Sequence, residues 1–307
     1  MSAWPARDSI AAIAVVLAAA AALGAQQSRI FRSATVSVAA NVSVKKGNRV
    51  VANLAARDFR LTDNGVEQTI ESVSIETVPI DVTLFIDTSG STSGRLDDMK
   101  HDVQEIIKFL RPADKFRLLT IGDAVYETVP WVPAGTKVDL SFGPVGGISL
   151  IQDALLIGLL HRTEPDRRHL IVGMTDRQDC GSVVSSAQLR EIASRSEAVV
   201  HLIDQQGSGG DPAYRVRTCS PRARRDGPAI IQEAAERTGG ELHELSFFFR
   251  SSTLLRAFKT IFDDFRQSYV LRYSPAGVSR SGWHAIRVEV PSVPGATIRA
   301  RQGYYGD

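Results

Sequence analysis

Val82-Thr83-Leu84-Phe85-Ile86 is a near-continuous apolar run that stops at Asp87-Thr88-Ser89-Gly90-Ser91. Such a run marks a strand buried on both faces, and strands of that kind belong to parallel sheets covered by helices. Downstream, Leu96, Met99, Val103, Ile106, Ile107 and Leu110 fall at helical spacing, and Pro112 ends the helix. The alternation then continues. Strands are predicted over 116–121 and 125–132, a helix over 150–160, and a buried strand at His169-Leu-Ile-Val-Gly-Met174. A helix over 187–198, a strand over 199–203 and a helix over 230–238 follow, the last closed by Gly239-Gly240. A short strand over 241–245 and an amphipathic helix over 254–265 complete the series. Strands alternating with helices predict βαβ units and an α/β fold, a doubly wound and mainly parallel sheet with helices on both faces. This unit is placed at residues 80–267.

On either side of it the pattern is β. Ala34-Thr-Val-Ser-Val-Ala-Ala-Asn-Val-Ser-Val44 alternates in places, Lys46-Gly47-Asn48 supplies a turn, and Asp63-Asn64-Gly65 is a tight-turn signal after Asp58-Phe59-Arg60-Leu61. Beyond the α/β unit, 268–273, 283–290 and 296–301 read as strands. The flanking segments, 26–79 and 268–307, are each too small to bury a core alone. They are expected to pair into one sandwich-like module, which requires the chain ends to lie close together.

The first 25 residues have the order of a secretory signal peptide: Arg7 in a short start, an apolar run from Ile10 to Leu23, then Gly24-Ala25 before Gln26-Gln27. The alternative is an uncleaved anchor, but the run stops short of the ~20 apolar residues that span a bilayer. Export is the expectation, to the periplasm, the cell surface or the medium, with no transmembrane segment left after signal removal. The 36 basic residues nearly balance the 34 acidic ones, a net charge of +2 that gives no reason to expect a nucleic-acid partner. Arg222, Arg224 and Arg225 read as a solvated loop. In an oxidising compartment the two cysteines, Cys180 and Cys219, predict one disulfide; the alternative of two unpaired thiols turns on a distance that sequence does not carry.

Asp87, Ser89 and Ser91 are spaced i, i+2, i+4 on the turn at the carboxyl end of a parallel strand, where open α/β sheets place ligands. Gly146-Gly147-Ile148-Ser149 puts a hydroxyl just before a helix, and Thr175-Asp176 puts a carboxylate at the end of another buried strand. These hard oxygens suit Mg²⁺ or Mn²⁺ better than zinc, and Ca²⁺ is a further candidate.

The three elements together, Asp87-x-Ser89-x-Ser91, Ser149 four residues before Asp153-Ala-Leu155, and Thr175-Asp176, resemble the metal-ion-dependent adhesion site of von Willebrand factor A domains. The resemblance implies that Asp87, Ser89, Ser91, Ser149 and Asp176 are metal ligands. Ser149 stands where the family has threonine, and Arg177 where glycine is common, which puts a bulky cation near the metal face. The flanking stretches, with Tyr269-Val-Leu-Arg-Tyr273, Trp283 and Arg301-Gln-Gly-Tyr-Tyr305, are similar to a von Willebrand A-related family common in Acidobacteria. In such a site two carboxylates and three hydroxyls leave a coordination position for a partner's Asp or Glu. The implied function is therefore metal-dependent binding of a protein, or another ligand offering an acidic group, in the manner of cell adhesion.

The bland reading of Asp87 and Asp176 is that they cap loop backbone, as Asx residues often do. Asp97 and Asp98 favour a first helical turn through its dipole, Asp153 opens a helix, and Asp123 and Asp179 read as loop residues. No enzyme is expected. Asp87 lacks the second aspartate of an Asp-x-Asp phosphatase motif, Thr92 stands where a nucleophile elbow needs serine, and there is neither a phosphate-binding Gly-rich loop nor a His-Glu-x-x-His pair. The six histidines (101, 161, 169, 201, 243 and 284) look scattered. The alternatives are a structural envelope protein whose metal stabilises the fold, or a metal-dependent hydrolase.

Overall fold

A computed structural model describes residues 37–75, 78–90, 96–164, 166–204, 219–245 and 251–306. The predicted signal segment, and Ser91 among the site residues, lie outside these.

The centre is a six-stranded sheet. Its strands are β6 (Ile80–Asp87), β7 (Lys115–Ile121), β8 (Val125–Pro133), β9 (Arg168–Thr175), β10 (Val199–Asp204) and β11 (Leu242–Glu244), in the order β11-β10-β9-β6-β7-β8. All neighbours are parallel except β8, which runs antiparallel to β7. Every residue of β6 and β9 is buried, as the apolar run beginning at Val82 requires. Strand alternation divides the side chains between two helical layers. Val82, Leu84 and Ile86 pack with α1 (Leu96–Ile107) and α5 (Ser251–Arg266), through Met99, Val103, Phe258 and Phe262. Phe85, on the opposite face, joins α2 (Ile151–Leu159), α3 (Ser186–Arg195) and α4 (Pro221–Arg237), through Leu155, Leu189 and Ile231. At full burial each such side chain contributes about 1.5–3 kcal/mol. The doubly wound α/β expectation is met.

Strand order reverses between β6 and β9. From β6 the chain winds outward through β7 and β8, then returns to lay β9 on the other side of β6. A crevice at the carboxyl ends of two such strands is where open α/β sheets bind ligands.

The flanking segments pair with each other. The amino-terminal strands are β1 (Val38–Lys46), β2 (Arg49–Val50), β3 (Arg60–Asp63), β4 (Val66–Gln68) and β5 (Ser72–Ile75). The carboxyl-terminal strands are β12 (Tyr269–Tyr273), β13 (Gly282–Glu289), β14 (Thr297–Ala300) and β15 (Gly303–Gly306). They interleave in two antiparallel sheets, one ordered β14-β1-β12-β5 with β2 beside β1, the other β15-β13-β3-β4. Every second residue of β1 is buried, Val38, Ala40, Val42 and Val44, and these pack on Tyr269, Leu271 and Tyr273 of β12 and Ile286 and Val288 of β13. Strand β15 falls outside the sequence reading.

One helix corrects that reading. Helix α4 begins at Pro221, not Ile230, so Arg222, Arg224 and Arg225 lie in its first turns rather than in a loop. Ser220 caps it, accepting from Ala223 N at 3.1 Å, and Pro221 occupies the first turn, where its missing N–H costs nothing. Gly227-Pro228 has the look of a break, yet the helix runs through it.

Candidate metal centre

Asp87 ends β6 with a fully buried side chain whose Oδ1 accepts from Ser89 N at 3.0 Å, turning the chain back over the strand end. Thr88 extends the ladder to β7, its N–H and hydroxyl both donating to Ile121 O. The glycine loop then docks on this turn: Gly146 N donates to Thr88 O at 2.9 Å, and Gly90 N to Gly147 O at 3.3 Å. Gly147 has φ +72°, and a Cβ there would stand 2.6 Å from Asp123 N, so both backbone conformation and space demand glycine. The docking brings Ser149 Oγ to 2.8 Å from Ser89 Oγ and to 3.3 and 3.4 Å from the two carboxylate oxygens of Asp87.

Strand β9 supplies the third part. Thr175 donates its hydroxyl to Asp87 Oδ2 at 3.3 Å, and the next residue, Asp176, is fully buried, its Oδ1 accepting from Gln178 N. Burial first, and then the negative charge of Asp176, push the Asp87 carboxyl up to about 7. Of the five sequence-predicted residues, the structure thus gathers Asp87, Ser89, Ser149 and Asp176 at the β6/β9 reversal.

The supporting loop rests on residues read earlier as ordinary. Asp179 is buried and accepts from Gln152 N at 2.8 Å at the start of α2. Asp153 accepts from Val183 N and Val184 N at 3.0–3.1 Å, and Cys180 N donates to Ser149 O at 3.0 Å. Cys180 and Cys219 form the predicted disulfide, fastening this loop to the start of α4. Arg177, with φ +61°, makes a 2.6 Å ion pair with Asp204 at the end of β10, so its guanidinium is engaged by the neighbouring strand.

The donor set fits a hard divalent cation. A buried carboxylate beside a second one, as Asp87 is beside Asp176, is costly to ionise, and an oxygen-lined cation removes that cost. Among the described residues no thiolate or imidazole contributes to this oxygen cluster. A different group, which the apparent scatter of the histidines concealed, joins His201, Glu241 and His243. Only the β10–β11 pairing brings them together.

No protein-family model matches the chain, and no curated protein matches it. Solved structures do resemble it. BatB from Bacteroides thetaiotaomicron is 13% identical over 61% of this chain and 98% of its own, with a TM-score of 0.43. A von Willebrand factor type A protein from Catenulispora acidiphila is 10% identical over 90% of this chain and 75% of its own, TM-score 0.46. The D319A mutant of the PilB minor pilin from Streptococcus sanguinis is 12% identical over 74% and 78%, TM-score 0.46. At such identities and scores these likenesses say nothing of activity.

Proposed function

We propose that this is an exported von Willebrand factor A-type protein that binds a partner through a hard divalent cation, Mg²⁺ or Mn²⁺, and is not an enzyme. Asp87, Ser89, Ser149 and Asp176, with Ser91 two residues on from Ser89 in sequence, would hold the ion. The carrying observation is the placement of buried Asp87, within reach of the Ser149 and Thr175 hydroxyls and of the Asp176 charge, at the reversal of strand order. When bound, the ion supplies a Lewis-acidic position for an acidic group of the partner. The chain's own work is to hold the oxygens in place, Ser149 by the glycine loop and Asp176 by its turn. The disulfide suits an oxidising compartment. Among the described residues no helix is long and apolar enough to cross a membrane.

Calorimetric titration with Mn²⁺ tests the reading. Asp87→Ala should weaken affinity beyond the roughly 10–100-fold that loss of an outer partner costs, and should abolish capture of partners from envelope extract in Mg²⁺ relative to EDTA. Unchanged Mn²⁺ affinity would overturn the assignment. A chelator that unfolds the protein as well as releasing partners would assign the ion to stability instead.

A further inference from the structure

His201 sits mid-strand in β10 and His243 mid-strand in β11. The two strands are parallel neighbours, and His243 pairs with Ile203, which shares a strand face with His201. The rings therefore meet: His201 Nδ1 lies 3.1 Å from His243 Nε2, and Glu241 Oε1 lies 3.7 Å from that same His243 nitrogen. One ligand atom from each of the three residues falls within 4.8 Å of the others. Nitrogens about 2.0–2.1 Å from a tetrahedral ion stand roughly 3.3 Å apart, and the two measured separations bracket that spacing. A hydrogen shared between the rings accounts for the first contact, while the carboxylate stands beyond hydrogen-bond distance of the same nitrogen.

The surroundings fit a site. His201 and Glu241 line a cavity of about 20 Å³, room for a single water-sized occupant. Arg299 of β14 ion-pairs with the other oxygen of Glu241, fixing the carboxylate as outer-sphere partners do. Lys45 of β1, also at the cavity, is paired with Asp264 of α5. The two cations lower the affinity the cluster can reach; Lys45 is met by Asp264, and Arg299 by the ligand Glu241 itself.

We propose that His201, Glu241 and His243 form a binding site for a divalent transition cation of the zinc class, at the seam between the parallel sheet and the antiparallel sheet carrying β1 and β14. Two nitrogens and a carboxylate make a softer donor set than the oxygens around Asp87, so the two sites select different ions. Its ion would join β10 to β11, and the Glu241–Arg299 ion pair links that strand pair to β14 of the flanking module.

The test uses the full chain, stripped with chelator, with Co²⁺ as probe and Zn²⁺ as competitor. One Co²⁺ should bind with visible absorption typical of nitrogen ligation, be displaced by Zn²⁺, and raise the melting temperature. His243→Gln and Glu241→Gln should each weaken binding at least tenfold, while Asp87→Ala leaves it intact, which separates this site from the oxygen cluster. Absence of saturable Co²⁺ and Zn²⁺ binding in the unmodified chain overturns the proposal. So does binding that survives both substitutions, or that Asp87→Ala removes.

Discussion

Arg177 has a backbone conformation suited to glycine and a side chain that glycine cannot replace. Its φ of +61° costs a non-glycine residue about 1–2 kcal/mol, while its 2.6 Å pair with Asp204 is buried on both sides. Breaking a buried pair by removing one partner costs about 3–5 kcal/mol, so the ion pair outweighs the strain. Arg177→Gly is predicted to destabilise the protein by about 2 kcal/mol in urea unfolding, and adding Asp204→Asn should recover part of the loss. A neutral or stabilising Arg177→Gly would show that the strained backbone dominates. From sequence, Arg177 looked like an intruder on the metal face, because nothing in the chain order says that β10 lies beside β9 and ends in Asp204. The four gathered site residues were legible for a local reason. Each stands at a strand end or just before a helix, positions that apolar runs and glycines announce. His201 and His243 carry no such local signal; their meeting is a property of sheet order.

At the scale of elements, the site depends on loops being held, and the disulfide is the strongest single tie on the loop after β9. The bridge joins residues 39 apart, and closing a loop of about that length is worth up to about 4 kcal/mol in the chain-entropy view. Replacing both cysteines by serine is expected to lower stability by about 2–4 kcal/mol, measured as the shift in denaturant midpoint. Because Cys180 N also donates to Ser149 O, the same variant should weaken Mn²⁺ binding. Full retention of stability would mean the loop is held by Asp153 and Asp179 alone. Elements with uniform patterning, such as β6 and β9, were plain in the sequence. The start of α4 was obscured because Gly227-Pro228 imitates a terminus, although Ser220-Pro221 carried the real start signal. The joining of the flanking segments followed from the inability of either to bury a core alone, but register and the extra strand β15 come from long-range pairing that no short window contains.

Across the whole molecule the central sheet carries buried acids at the carboxyl ends of β6 and β9 and an imidazole cluster, with buried Asp81 beside it, toward the opposite ends. There His169 Nε2 meets Thr83 Oγ at 2.8 Å, Arg117 donates to the same hydroxyl, and the His161 ring lies 5.0 Å from that of His169 while stacking on Trp131. Burial, then His161 and Arg117, hold His169 well below the usual imidazole range. A group with a depressed folded value contributes stability in full above its unfolded value, about 6.5 for histidine, and loses it as pH falls toward the folded value. Asp87 works in the opposite sense. Its raised carboxyl makes the ionised form a cost to the metal-free fold, one relieved as pH drops through about 7. The two poles therefore mask each other in a simple pH profile, and a variant must separate them. His169→Gln keeps a polar partner for Thr83 but cannot titrate. In chelator, the unmodified protein should lose stability relative to His169→Gln between about pH 6.5 and pH 5, with a slope approaching 1.4 kcal/mol per pH unit, since the unfolded chain binds one proton more. Denaturant unfolding of both proteins across that range decides the matter: parallel stability curves would mean that His169 takes up its proton in the folded state, and that this end of the sheet is open to water.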